Sequence, residues 1–220
     1  TFELPGERSF AVSGSVRLSS RAADDVLDSA LGVPGADEGG LTATSRRRLP
    51  GGPVNRASSA VDSDPDTWYS PGFLGQQLEY VDVRLPEGRP ATFDRMAITV
   101  LADGRHSVPR GLFLEVDGRV VQDIDLPAVD DQPEANARHT FDVTLDRPVT
   151  GTQVRVAVRD EPDAVREVRT LDWYSGNEIV MPVGIVELGI DGIRAPAVPK
   201  RVDPACRTDL VEVDGRPTPV

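Results

Sequence analysis

The stretch Ser59-Ala60-Val61-Asp62-Ser63-Asp64-Pro65-Asp66-Thr67-Trp68-Tyr69-Ser70 concentrates oxygen donors: three aspartates at spacing two, set among serines and followed by a threonine and two aromatic rings. Carboxylates so spaced in a tight loop cannot all point apart, and their repulsion is relieved either by full solvation or by a cation. A hard cation matches an all-oxygen donor set. Calcium suits it better than magnesium, because calcium accepts about six to eight oxygens in loose geometry. The same residues also suit a solvated Asp/Ser/Pro turn entering a strand. Covalent chemistry is harder to find. The chain has no Gly-x-Ser-x-Gly elbow and no glycine-rich phosphate loop opening a helix. His106 and His139 are its two histidines, and with 36 acidic residues close acid pairs arise by chance.

The totals narrow the partners. At a net charge of −12 the chain is a poor match for a nucleic-acid backbone or an anionic bilayer, both of which call for clustered cations. Lys200 is the single lysine and every other cationic residue is arginine. No apolar run reaches the roughly 18 to 20 residues needed to cross a bilayer. Thr1 and Val220 read as cut points in a longer protein. Cys206 stands alone, so the sequence contains no internal disulfide framework.

The elements that must hold the acidic loop read as strands. Phe10, Val12, Val16 and Leu18 alternate, and a helix capped by Ser20 follows, with Ala23, Val26, Leu27, Ala30 and Leu31 on one stripe and Gly32 at its end. Residues 33–40 are rich in Gly, Pro and Asp. Leu41 to Ser45 reads as a strand, and Arg46-Arg47-Arg48 as a solvated edge or a docking patch for anions. Alternation recurs at Val81–Leu85, Met96–Val100, Leu112–Val116, Ile124–Leu126, Phe141–Leu145, Val154–Val158 and Val186–Ile190. Asp117-Gly118 marks a hairpin and Asp146-Arg147-Pro148 a turn. About eight short strands with little helix predict an all-β fold, an antiparallel jelly-roll β-sandwich with a short N-terminal strand-helix extension. The expected organisation is a flanking strand and helix of a neighbouring domain over 1–40, the sandwich over 41–194, and a Pro-rich tail over 195–220. One tail strand at Leu210–Val213 would return to pair with Phe10–Leu18.

The run Ala60-Val61-Asp62-Ser63-Asp64 to Thr67-Trp68, together with Val183-Gly184-Ile185-Val186-Glu187-Leu188-Gly189-Ile190 near the end, resembles the signature of the discoidin, or coagulation-factor C-type, fold, whose members include the family 32 carbohydrate-binding modules. The resemblance implies a galactose-binding-domain-like sandwich with a structural calcium ion. Its ligands would be side-chain oxygens of Asp62, Asp64, Thr67 and Glu187, and main-chain carbonyls of Ser59, Thr67 and Val186. Two departures stand out: Ser63 occupies a position usually held by glycine, and Trp68 follows Thr67 directly, which moves the aromatic slot toward Tyr69. For Glu187 to face the loop while Val186, Leu188 and Ile190 face the core, the last strand must bend.

On such sandwiches a sugar site lies in loops at one end, where a ring stacks on the sugar and polar groups take its hydroxyls. Three loops have that mixture: residues 69–76 with Tyr69; residues 102–110 with Arg105, His106 and Arg110; and Asp172-Trp173-Tyr174-Ser175-Gly176-Asn177-Glu178. Trp68 is expected to be a packing ring. Where sugar-binding relatives often place an arginine after the strand of Met96 to Leu101, this chain has Ala102 and Asp103.

The phrase from Asp172 to Glu178, the run Val202-Asp203-Pro204-Ala205-Cys206, the flanking strands and the scarcity of lysine resemble the extracytoplasmic part of mycobacterial-type arabinofuranosyltransferases of the D type, membrane enzymes of the cell wall. This resemblance implies a non-catalytic module that binds or orients arabinan or galactan acceptors beside neighbouring domains of the same chain, on the outer face of a bacterial envelope. The other expectation is an interdomain brace that has lost its sugar site.

Overall fold

A computed structural model describes residue 6 and residues 17–73, 75–194, 198–199, 201 and 206–219. It resolves into two compact units, one spanning Ser20–Val202 and the other comprising Thr1–Ser19 with Asp203–Val220.

The larger unit opens with α1 (Asp24–Leu31), which starts after Ala23, three residues later than Ser20, and ends on Gly32 at φ +70°. That left-handed cap directs the Gly32 and Val33 amides back onto the last turn. The strands are β1 (Thr42–Ser45), β2 (Tyr80–Arg84), β3 (Ala91–Leu101), β4 (Val108–Pro109), β5 (Gly111–Val116), β6 (Arg119–Asp125), β7 (Arg138–Gly151), β8 (Gln153–Val158), β9 (Val165–Arg166), β10 (Arg169–Leu171), β11 (Glu178–Val180) and β12 (Ile185–Ile190). One antiparallel sheet has the order β1-β2-β8-β5-β6 and a second the order β12-β3-β7. Val81, Val83, Leu112, Leu114, Val154 and Val156 from the first form one core cluster with Met96, Ile98, Val100, Phe141, Leu188 and Ile190 from the second. The architecture is an antiparallel β-sandwich, as the alternation predicts.

Several local expectations change. Asp117 and Gly118 both adopt positive φ and join β5 to β6, the geometry that a two-residue hairpin requires. Asp146-Arg147-Pro148 does not end the strand: β7 continues to Gly151, but its register against β3 breaks there, Phe93 facing Val149 and Arg95 facing Thr144, so residues 145–148 bulge out of the ladder. A proline is tolerated there because β7 is the edge of its sheet. The arginine run is not a solvated edge either. Arg47 pairs with the buried Glu79, and Arg48 with Asp24 of α1. Arg56 pairs with Asp28, so α1 is fastened to the sandwich and the boundary expected at residue 41 falls at Ser20.

The strand expected over Phe10–Leu18 falls almost wholly outside the described residues. In the smaller unit β13 (Glu212–Val213) pairs with β14 (Arg216–Pro217) in a hairpin. No helix among the described residues is long and apolar enough to cross a membrane.

Candidate functional site

The acidic loop and the last strand meet. Asp62 is buried, and its carboxylate accepts the Asp64 amide at 2.9 Å and the Thr67 hydroxyl at 2.8 to 3.0 Å. The Ser63 amide donates to Glu187 Oε2 at 3.0 Å, across 124 positions of sequence. A bulge makes this possible. The register between β12 and β3 slips between Ile185 and Glu187, so Ile185 and Val186 are both buried and Glu187 is turned outward to the loop. The position where glycine is usual also explains itself. Ser63 has φ +56°, so the loop keeps the left-handed backbone and the serine carries the strain.

Both carboxyls are pushed above their ordinary range. Burial raises Asp62, more than the Asp64 amide and the Thr67 hydroxyl offset. Burial, then the nearby Asp62 charge, raises Glu187 to about 7 against the opposing Ser63 amide. Two carboxyls that resist ionisation side by side form a pair that a divalent cation would stabilise. The donor set suits one in part. Asp62, Glu187 and Thr67 supply hard oxygens, and the short 3-10 turn Ala57–Ala60, which carries Ser59, packs on β12, which carries Val186. The Ser59 hydroxyl in that turn is fully buried and has no hydrogen-bond partner among the described residues. Asp64 does not join as expected: its carboxylate accepts the Asp66 amide at 2.9 Å and stabilises the turn instead. Among the described residues no three His, Cys, Asp or Glu side chains gather to hold a metal ion, so an ion here would rest on two carboxylates and on neutral oxygens. A groove of about 590 Å³ opens beside Glu187, walled by Ser63, Pro65, Thr99, Arg138 and Arg194.

The loop after β3 builds a second cluster. The Asp103 side chain is buried and accepts three N–H groups: His106 Nδ1 at 2.9 Å, the Arg105 amide at 2.9 Å and the Asn136 amide at 3.0 Å. Burial alone would raise the Asp103 carboxyl, but these bonds outweigh it and hold it below its usual value. With Nδ1 held by a carboxylate, the imidazole is oriented and Nε2 is left to accept or donate outward. Trp68 is half-buried and meets this ring edge-on, with centroids 6.0 Å apart at 82°. Arg105 is exposed beside it, and Asp66 of the acidic loop pairs with Arg138 at the start of β7. Trp68 packs as expected, with His106 as its ring neighbour, and Asp103 anchors that imidazole. The sequence signal for both was the Asp-x-x-His spacing and the tryptophan directly after Thr67.

The remaining candidates separate. Tyr69 cannot stack on a sugar: it is 0% exposed, its hydroxyl donates to the Arg47 carbonyl at 3.0 Å, and its backbone bridges Ile185. Arg110 is exposed between β4 and β5, where its amide and carbonyl are tied to Ala164 and Leu126. Trp173, Tyr174 and Asn177 are all exposed on the tip of the β10–β11 hairpin. Among the described residues no ring contact links Trp173 or Tyr174 to Trp68 or His106.

No family model and no curated protein matches the chain. Among solved structures, a family 32 carbohydrate-binding module of C. perfringens NanJ in complex with galactose aligns at 17% identity over 68% of this chain and 92% of that one, with a TM-score of 0.46. The arabinofuranosyltransferase AftD from mycobacteria aligns at 20% identity over 78% of this chain, with a TM-score of 0.56. The chain spans 12% of that enzyme's length. At such identity the likeness concerns architecture: the chain has the antiparallel β-sandwich fold, shared with part of the mycobacterial arabinofuranosyltransferase.

Proposed function

We propose that the chain is a non-catalytic carbohydrate-binding module whose sugar site is the Trp68–His106–Arg105 cluster on Asp103. The observation that carries this reading is the imidazole fixed by a buried carboxylate beside a partly buried indole. That arrangement offers an apolar face for a sugar ring and an oriented nitrogen for a hydroxyl. A calcium ion held by Asp62, Glu187, Thr67 and the carbonyls of Ser59, Thr67 and Val186 would join the acidic loop to β12. Its role there is structural, since it would fix the loop from which Trp68 projects. The shared fold and the resemblance of the Asp172–Glu178 and Val202–Cys206 phrases support a place in the extracytoplasmic part of a membrane arabinofuranosyltransferase. There the module would bind or orient arabinan or galactan. The test is calorimetric titration with arabino- and galacto-oligosaccharides. Binding should weaken by about tenfold, or roughly 1.4 kcal/mol, in His106→Ala and in Trp68→Ala. No response of the wild type at millimolar sugar defeats the reading.

One observation favours a second reading, an interdomain brace without a sugar site. The ring expected to stack, Tyr69, is committed to the core. On that reading neither His106→Ala nor Trp68→Ala would change the activity of the parent enzyme.

A further inference from the structure

The β10–β11 hairpin has a feature the sugar cluster does not use. Trp173 is 90% and Tyr174 84% exposed, at adjacent positions where apolar rings would ordinarily be covered. They are not on a slack loop. The Asp172 carboxylate accepts the amides of Tyr174 and Ser175 and the Ser175 hydroxyl. The Asp172 amide donates to the Asn177 carbonyl, and Gly176 turns at φ +70° to donate to the Asp172 carbonyl. The backbone that carries the two rings is thereby fixed before anything binds, which lowers the entropy lost on binding. The rings stand at 85° with centroids 5.9 Å apart and so present two faces at a corner.

The root of this hairpin is fixed to the residue that follows His106. Ser107, fully buried, donates from its hydroxyl to the Met181 carbonyl and accepts the Val168 amide there, while its own amide donates to the Pro182 carbonyl. Both ends of the hairpin are therefore tied to the loop of the sugar cluster. From Val168 to Trp173 is five residues, a reach of up to about 17 Å at strand spacing. That distance suits several linked sugar rings rather than one.

Charge decides among occupants. Asp172 lies in the turn that carries the rings, and along the hairpin Glu167 and Glu178 share the one guanidinium of Arg169, so the acidic groups outnumber the cation that pairs with them. Such a flank repels a polyanion or an anionic lipid surface and leaves a neutral, hydroxyl-rich chain as the match.

We propose that the Trp173–Tyr174 tip is a second contact point for the glycan that occupies the Trp68–His106 cluster, so that the module reads an extended neutral polysaccharide chain rather than a single terminal sugar. The inference rests on the reading of that cluster as a sugar site. Its test is titration of the whole chain with arabino- and galacto-oligosaccharide ladders of increasing length. Wild-type affinity should rise with length, and Trp173→Ala with Tyr174→Ala should remove about tenfold for the longest sugars while leaving the shortest unchanged. Equal loss at every length, or no loss at any, overturns the proposal. If His106→Ala weakens binding by about tenfold at all lengths and the tip variant does nothing, the cluster is a sugar site and the tip is not, which overturns the proposal. If the wild type binds no member of either ladder, both readings fail together. A tip variant that alters sedimentation but not sugar affinity would show that the rings meet another copy of the chain, and would likewise overturn the proposal.

Discussion

Glu187 and Asp62 decide how the loop end behaves with pH. A carboxyl whose folded pKa lies above its unfolded value favours the folded state when protonated. Its contribution is present below the unfolded value of 4.5 and is lost as pH rises through about 7. With chelator present, stability should therefore fall between roughly pH 4.5 and 7, and Asp62, also raised by burial, adds to the same trend. Thermal melts at pH 5 and pH 8 would measure this. In Glu187→Gln the drop should shrink. Calcium should restore stability to the wild type at pH 8, where both carboxylates are ionised, and act less at pH 5, where protons compete for them. A wild-type melting temperature in chelator that is indifferent to pH would mean the two groups are better solvated than their burial indicates.

At the scale of elements, Ser107 carries more than its size suggests, because its hydroxyl is bonded to the residues flanking β10 and β11. Ser107→Ala should cost about 1 to 2 kcal/mol for two lost hydrogen bonds in a buried place. The loss should be local: amide exchange should speed up at Val168, Asp172 and Met181 while β3 and β7 keep their protection. Uniform acceleration across the sandwich would instead make Ser107 a core residue. Much of this level was legible beforehand, since alternation located β2, β3, β5, β7, β8 and β12, and Asp117-Gly118 located a hairpin. The acidic loop and its carboxylate partner were legible only as two phrases that resemble a family, because no periodicity reports a contact between Ser63 and Glu187. Other features were hidden for the same reason. The bulge at Val186, the passage of β7 through Pro148 and the pairing of Arg47 with Glu79 all depend on neighbours distant in sequence. The ring that Trp68 packs against could not be read either, because His106 lies 38 positions away by residue number.

For the molecule as a whole, the question is where the sandwich begins. Composition set the boundary at the Gly/Pro-rich stretch before Leu41, but the ion pairs cross that line. Arg56 is 4% exposed, and its guanidinium holds Asp28 of α1 and the Pro53 carbonyl, while the Ser58 hydroxyl donates to the same Asp28 oxygen at 2.7 Å. Burial raises the Asp28 carboxyl more than these partners lower it, so the pair is held in a partly desolvated place. Removing residues 20–40 would strip Asp24 from Arg48 and Asp28 from Arg56, leaving a buried cation without its anion. Breaking one side of such a pair costs about 3 kcal/mol even with some solvent access at Asp28. For a unit of this size that is a fall in melting temperature on the order of 10 °C. The unit Ser20–Val202 on its own should melt in one cooperative transition, and residues 41–194 on their own should melt lower by that amount or fail to fold. Calorimetry on the two would decide between them. Equal melting temperatures would make α1 a passenger and return the boundary to Leu41, whereas the expected difference makes the helix part of the sandwich's own foundation.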